Sequence, residues 1–183
     1  MEFIRKEPII FLVAGKARSG KSTVGNIISS EYEKNGKKVV VTQITKYLKG
    51  YIEDITGSKI DEDNKPRELL QKISSIVIKK ELGMTNFFVD RLIEDINIYS
   101  YFFDCIIITD VRFKEEIEVV KNNFSNVISI GVVRNDINSD LTEEQKQDVT
   151  EVSLDNYNDY DYKIINDNEE ELYAKVVNIL ENI

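Results

Sequence analysis

Short apolar segments rich in β-branched residues alternate along the chain with longer segments whose apolar residues recur at helical spacing. This alternation is typical of βα units that stack helices on both faces of a parallel sheet. We therefore predict a three-layer α/β fold around a five-stranded parallel sheet. The predicted strands are Ile9–Val13, Lys38–Val41, Cys105–Thr109, Val127–Val133 and Tyr162–Ile165.

The first and last helices carry recognisable end signals as well as an apolar face. Asn35-Gly36 predicts the left-handed end of the helix that follows the first strand. Asn168, followed by three glutamates, predicts the N-cap of the last helix. We expect the buried faces to consist of Val24, Ile27, Ile28 and Tyr32 in the first helix and Leu172, Val176, Ile179, Leu180 and Ile183 in the last.

Two longer segments interrupt the βα pattern. Residues 43–104 are too many for one crossover helix, so we predict that they form a helical insertion. The whole chain, residues 1–183, is predicted to be a single domain. Residues 135–158 are polar and contain Thr142–Gln145, a capping-box pattern that predicts a short acidic helix. The apolar faces expected in the insertion are Leu69, Ile73, Ile76 and Val77, and then Phe88, Leu92, Ile96 and Tyr99.

Composition excludes several classes of function. The 183 residues, 42% of them hydrophobic, suffice for one core. The net charge of −9 argues against a nucleic-acid partner, and no apolar stretch approaches the ~18 residues of a membrane span. The lone Cys105 lies in an apolar run and predicts a buried thiol in a reducing compartment, so we expect a cytoplasmic protein. Histidine is absent, so any chemistry must use arginine, lysine, carboxylates and a hard cation.

The residues from Gly15 to Ser22, between the first strand and the first helix, match the pattern G-x-x-x-x-G-K-[ST]. In such a loop the glycines let backbone N–H groups close around phosphate oxygens, and the next helix directs its positive end at them. Lys21 would reach the β- and γ-phosphates, and the Ser22 hydroxyl would hold Mg²⁺. We therefore expect ATP and Mg²⁺ as cofactors, with the ATP phosphates on Gly15, Lys16, Ala17, Arg18, Ser19, Gly20, Lys21, Ser22 and Thr23.

A loop with this pattern is called a P-loop, and the rest of the sequence indicates which class of P-loop protein this chain resembles. The N/T-K-x-D and D-x-x-G motifs of GTPases are not apparent, and ATP-driven motors and DNA-acting ATPases usually have more chain. The compact nucleoside monophosphate kinases remain, in which an acceptor-binding helical insertion follows the second strand and a lid follows the fourth. Residues 43–104 and 135–158 stand in these two places.

Charged and polar residues near the predicted strand ends and in the insertion are candidates for the site. Asp110 lies where parallel sheets bind ligands, so it could hold a Mg²⁺ water or instead cap the next helix. Arg112 could fork onto a phosphate or pair with a following glutamate. Arg67 and Gln71, one turn apart, could hold an acceptor's phosphate and base, or form a solvated helix face.

Several motifs occur in one order along nearly the whole chain: the P-loop, Ile44–Lys49, Arg67–Ile73, Thr109–Phe113 with Glu115 or Glu116, Val133-Arg134 and Tyr160–Asp167. Together they resemble the phage-type deoxynucleoside monophosphate kinases. Dephospho-coenzyme A kinases are similar at the closing motif, and animal-type phosphomevalonate kinases share the Asp110-Val111-Arg112 element. The resemblance implies a three-layer P-loop kinase fold and phosphoryl transfer from ATP to the phosphate of a nucleoside monophosphate.

The same resemblance implies roles for further residues. Lys49, a better positional match than Lys46, would lie on the acceptor side with Arg67, Gln71 and Arg112. Asn166 and Asp167 would lie beside the donor base, although Asn166 could as easily cap a turn. We expect Ser22 and Asp110 to hold the metal and Lys21, Arg18, Arg112 and Arg134 to be catalytic.

The segment 135–158 contains no arginine, so its role as a lid is open. Either Arg134 and Arg18 supply positive charge in the transition state, or the segment is not a catalytic lid. A non-catalytic ATP-binding regulator and a kinase of phosphomevalonate or dephospho-coenzyme A remain alternatives. The expected partner is a small-molecule phosphate acceptor, and the sequence is compatible with a homodimer without deciding the oligomeric state.

Overall fold

The computed structural model describes residues 3–60, 66–134 and 152–183. Five parallel strands form one sheet in the order β2-β3-β1-β4-β5, which confirms the predicted sheet. The strands are β1 (Ile9–Ala14), β2 (Val39–Thr42), β3 (Cys105–Val111), β4 (Val127–Val133) and β5 (Tyr162–Ile165). Because β3 continues to Val111, Asp110 lies within the strand rather than after it.

Helices follow each of the strands within the described residues, except that β4 leads into residues outside them. They are α1 (Lys21–Lys34), α2 (Lys46–Thr56), α3 (Arg67–Gln71), a π-helix (Lys72–Glu81), α4 (Phe87–Tyr99), α5 (Lys114–Asn123) and α6 (Glu169–Glu181). Of the described helices, none combines the length and apolarity needed to cross a membrane. The predicted helix start Thr142–Gln145 lies outside the described residues.

Both faces of the sheet are covered, because successive side chains of a strand point to opposite faces. Phe11 and Val13 of β1 pack with α1 and α6, whereas Ile10 and Leu12 pack with α4 and α5. Each such fully buried aliphatic or aromatic side chain contributes roughly 1.5–3 kcal/mol through removal from water. The sheet edge at which the parallel strands end is therefore held rigidly between two helical layers.

Most of the predicted helix faces are confirmed. The four residues expected on α1 and the four on α4 all belong to, or pack against, the two cores. Asn168 caps α6 by accepting a hydrogen bond of 2.8 Å from the backbone N–H of Glu171. The expectation for Ile183 is wrong: α6 ends at Glu181, and this side chain is 51% exposed beyond it.

The helical insertion departs from the predicted spacing after α3. The chain continues as a π-helix, whose i→i+5 hydrogen bonds widen the turn and change which side chains face inward. Ile76 and Val77 were expected on the buried face but are 48% and 45% exposed, and Ile78 is buried in their place. The spacing of 3.6 residues from which an α-helical face is predicted cannot indicate a change to the wider turns of a π-helix.

Candidate active site

The loop between β1 and α1 has the backbone shape required of a phosphate-binding loop. Gly15 has a φ of 149°, and a Cβ added to it would lie 2.4 Å from the carbonyl oxygen of Val132. Gly20 has a φ of 103°, and its added Cβ would lie 2.4 Å from Nδ2 of Asn166. Both positions therefore need glycine, so that the loop can curl back against the ends of β4 and β5.

Lys21 begins α1 and is buried in this loop. Its Nζ donates hydrogen bonds to the carbonyl oxygens of Gly15, at 2.8 Å, and Lys16, at 2.5 Å. These two bonds compensate part of the cost of removing an ammonium group from water. The ammonium is thereby positioned within the curl of the loop, where anionic oxygens would be attracted to it.

A cavity of about 380 Å³ opens at the start of α1. The N-cap residue of α1 is Gly20, which has no side chain to cap the helix, so the positive end of the helix is directed at the cavity. The structure thus brings Arg134, at the end of β4, to the same cavity as Arg18 of the loop. The cavity is lined by Arg18, Gly20, Lys21, Ser22, Thr23, Arg134, Asn166, Asn168 and Leu172.

Asn166 connects the end of β5 to the loop. It is buried, its backbone N–H donates to the carbonyl oxygen of Val133 at 2.7 Å, and its Nδ2 donates to the carbonyl oxygen of Ser19 at 2.8 Å. Asp167 beside it is exposed. Asn166 also lines the cavity. The expectation that it lies near the donor nucleotide stays a prediction, and the structure adds that its side chain holds the loop.

The expected Mg²⁺ site fits one of its two predicted residues better than the other. The exposed Ser22 hydroxyl lines the cavity on the first turn of α1. Asp110 instead accepts hydrogen bonds from the N–H of Ile44 at 2.7 Å and from the N–H and hydroxyl of Thr45 at 3.1 and 2.6 Å. A carboxylate with three donors has few free lone pairs, so Asp110 could reach a Mg²⁺ ion only through a water, whereas the Ser22 hydroxyl could bind the ion directly. Both metal roles stay predictions.

The N-cap residue of α5 is Phe113, so Asp110 does not cap that helix. Glu116 satisfies the helix start, because its Oε2 accepts the backbone N–H groups of Arg112, at 2.8 Å, and Phe113, at 3.0 Å. Burial raises the pKa of Glu116 to about 7, and the negative charge of Asp110 acts in the same direction. The two backbone hydrogen bonds and the ammonium of Lys79 oppose this rise.

The chain matches no protein-family model and no curated protein. Solved structures do resemble it. The APS kinase CysC of Mycobacterium tuberculosis in complex with AMPPNP and APS has a TM-score of 0.60 at 10% identity, over 96% of this chain and 99% of that one. A sugar kinase from Janibacter sp. HTCC2649 has a TM-score of 0.60 at 12% identity, over 95% of each chain.

The shikimate kinase of Aquifex aeolicus gives a TM-score of 0.52 at 15% identity, over 95% of this chain and 97% of that one. These three structures are named as kinases, and their likeness to our chain extends over the whole three-layer arrangement around the parallel sheet. The fold is that of a P-loop kinase. At identities this low the likeness establishes the fold, and the reaction and its substrates have to be inferred from the residues of the site.

In this P-loop kinase fold the insertion is tied firmly to the end of the sheet. Asp110 holds the residues directly before α2, and Lys46 at the start of α2 forms an ion pair of 2.5 Å with the buried Asp95 of α4. Tyr47 also donates to Asp95, at 2.8 Å. Lys46 therefore helps to hold α2 against α4, and the prediction that Lys49 lies on the acceptor side stays a prediction.

Three of the four predicted acceptor residues, Lys49, Arg67 and Gln71, occupy the same insertion, and the fourth, Arg112, directly follows β3. Lys49 donates from Nζ to Oε1 of Gln43 at 2.6 Å, next to the end of β2. Gln71 is exposed at the end of α3. Arg67 begins α3, and its side chain lies outside the described residues. Their roles in binding an acceptor stay predictions.

Two contacts that involve the P-loop and Arg112 were not foreseen from the sequence. In the described end of the expected lid, residues 152–158, Asp155 forms an ion pair of 2.7 Å with Lys16 of the loop. Ser153 donates from its hydroxyl to the carbonyl oxygen of Arg112 at 2.5 Å. No local pattern indicates these pairs, because they join residues far apart in the chain.

Proposed function

We propose that the protein transfers the γ-phosphoryl group of ATP to the phosphate of a ribo- or deoxyribonucleoside monophosphate, giving ADP and a nucleoside diphosphate. The observation that carries the proposal is one cavity in which Lys21, Arg18 and Arg134 meet the start of α1. Three cations and a helix N-terminus provide the charge that a triphosphate requires.

The donor side of the proposal follows from the loop geometry. Backbone N–H groups of the curled loop would bind phosphate oxygens, and Lys21 would move its ammonium from two carbonyl oxygens to the β- and γ-phosphates. Mg²⁺, held at Ser22, would neutralise charge on the same oxygens. The neighbouring APS kinase was solved with AMPPNP, which supports an adenine nucleotide as donor.

The acceptor side follows from the placement of the helical insertion. Asp110 ties the start of the insertion to β3, and Arg112 follows only two residues later in the chain. Arg112 and Lys49 would then hold the acceptor's phosphate at the end of the sheet. The order of motifs that resembles the deoxynucleoside monophosphate kinases supports a nucleotide as this acceptor.

The reaction needs no strong general base, because the attacking phosphate oxygen is already an anion. A chain without histidine can therefore catalyse it by positioning the substrates and neutralising charge. Arg134 and Arg18 would meet the charge that spreads over the transferring group. Closure of the insertion over the substrates would exclude water, which otherwise hydrolyses ATP.

An ADP-release assay with ATP, Mg²⁺ and each common ribo- and deoxyribonucleoside monophosphate tests the proposal. We expect at least one monophosphate to raise ADP release well above the rate with ATP alone, and formation of the diphosphate to match the ADP released. The Lys21→Ala variant should lose this activity, whereas Lys37→Ala, at an exposed position, should keep it.

Two results would contradict the proposal. ATP binding without transfer to any monophosphate would indicate a non-catalytic nucleotide-binding protein. Transfer only to phosphomevalonate or dephospho-coenzyme A, tested in parallel, would keep the kinase and change its acceptor.

A further inference from the structure

The peptide groups on either side of Arg112 are held by side chains from two different parts of the chain. Its N–H donates to Oε2 of Glu116, one turn into α5, at 2.8 Å. Its carbonyl oxygen accepts the hydroxyl hydrogen of Ser153 at 2.5 Å. Both backbone hydrogen-bonding groups of this one residue are therefore satisfied by side chains rather than by a strand or helix ladder.

Both holding groups are themselves anchored. Glu116 also accepts the N–H of Phe113 at 3.0 Å, and it lies on the helix turn whose next residue, Ile117, is buried in the core. Ser153 is followed by Leu154, which packs against the same core. The ion pair between Asp155 and Lys16 attaches the segment to the P-loop as well, although both partners are more than 40% exposed and the pair contributes little energy.

An arginine binds two oxygens of a phosphate more tightly when its Cα is already fixed, because less conformational entropy is then lost on binding. We infer that Glu116 and Ser153 are positioning residues that fix the backbone of Arg112 for recognition of the acceptor's phosphate. The inference rests on the proposed function, in which Arg112 contacts that phosphate. Neither side chain needs to touch a substrate itself.

Steady-state kinetics with the monophosphate that is turned over fastest test this inference. Ser153→Ala removes one hydrogen bond and should raise the KM for the monophosphate roughly threefold to tenfold, with the KM for ATP unchanged. Ser153→Thr keeps a hydroxyl and should restore most of the loss. Glu116→Ala removes two bonds and should have a larger effect, and Glu116→Gln, whose amide oxygen can still accept, a smaller one.

Exposed residues of the same types serve as controls. Ser125→Ala and Glu118→Gln should leave both KM values unchanged. Thermal unfolding of every variant separates a positioning effect from loss of the fold, because a merely structural defect lowers the melting temperature without selecting one substrate. The dissociation constant of the monophosphate, measured without ATP, should change in parallel with its KM.

A double-mutant cycle distinguishes failure of this inference from failure of the proposed role of Arg112. If Ser153 acts through Arg112, Ser153→Ala in an Arg112→Ala background should cost no further affinity for the monophosphate. If Arg112→Ala alone leaves the KM for the monophosphate unchanged, the proposed role of Arg112 is wrong and the inference falls with it. If Arg112→Ala raises that KM and Ser153→Ala and Glu116→Ala do not, the inference alone is overturned.

Discussion

The side-chain amide of Asn166 donates a hydrogen bond of 2.8 Å to the carbonyl oxygen of Ser19, across 147 positions of sequence. Ser19 is buried in the P-loop, and Asn166 is buried at the end of β5. The bond therefore ties the loop to the end of β5. It also fills the space in which a side chain at position 20 would lie, since the added Cβ of Gly20 would meet this amide.

We expect Asn166→Ala to weaken ATP binding roughly tenfold, because it leaves a buried carbonyl oxygen without its donor and loosens the loop. Asn166→Asp has nearly the same size but cannot donate from its carboxylate, so it should weaken binding at least as much. Isothermal titration with ATP measures both. Unchanged affinity in Asn166→Asp would show that the bond does not support the loop.

Gly15→Ala should abolish measurable ATP binding or prevent folding, because its Cβ would lie 2.4 Å from the carbonyl oxygen of Val132. The matched control is Gly57→Ala, where φ is 68° and the added Cβ meets nothing within 4 Å. That control should lose only about 1–2 kcal/mol of stability and keep its affinity for ATP. Melting curves and ATP titration of the two variants make the comparison, and equal effects would contradict the close approach.

Lys21→Ala should lower turnover roughly a hundredfold or more while the fold survives, since the ammonium neutralises charge that develops on the β- and γ-phosphate oxygens. The measurement is kcat in the ADP-release assay, with melting temperature as the check on folding. Near-normal turnover in a folded variant would exclude the P-loop kinase mechanism.

Arg134→Ala should cost roughly a thousandfold in kcat and leave ATP affinity little changed, by analogy with arginine fingers that act mainly in the transition state. Arg18→Ala should cost less, because an arginine of the loop is present in the ground state and binds substrate and transition state more evenly. Side-by-side kcat and ATP dissociation constants test this order. The reverse order would mean that the loop supplies the catalytic charge and residues 135–158 do not act as a catalytic lid.

The pKa of Glu116, raised from its ordinary value of 4.5 to about 7, predicts a pH dependence of stability. Between pH 4.5 and 7 the folded state holds a proton that the unfolded state has released, so this residue's contribution to the free energy of unfolding falls as pH rises, by roughly 3 kcal/mol at most. Asp110 on β3 and Lys79 on the π-helix are the charged groups that act on it.

Glu116→Gln removes this titration, so the stability of the variant relative to the unchanged protein should increase from pH 5 to pH 8. Urea unfolding at several pH values measures the difference. Glu118→Gln, at an exposed position of the same helix, should show no such trend. A flat difference for Glu116→Gln would mean that the carboxyl is ionised throughout the range.

Much of the fold could be predicted because it follows from local rules. Strands that are buried on both faces appear in the sequence as continuous apolar runs. The predicted bounds of all five strands lie within two residues of the observed ones. The P-loop was equally visible, because glycine at position 15 and lysine at position 21 are required by backbone shape and charge within one short segment. The caps at Gly36 and Asn168 have the same local origin.

The sheet, its covering helices and the glycine-rich loop between β1 and α1 could therefore be predicted from the order of residues along the chain. What surrounds that loop, and which groups hold Arg112, became visible only in the folded protein. The contacts of Asn166 with Ser19, Asp155 with Lys16 and Ser153 with Arg112 join polar or charged residues that are far apart in the chain and meet where the chain leaves β1, β3 and β5. Hydrogen bonds of this kind have no periodicity in sequence, since their geometry is set by packing of the whole core and not by the neighbours of either residue.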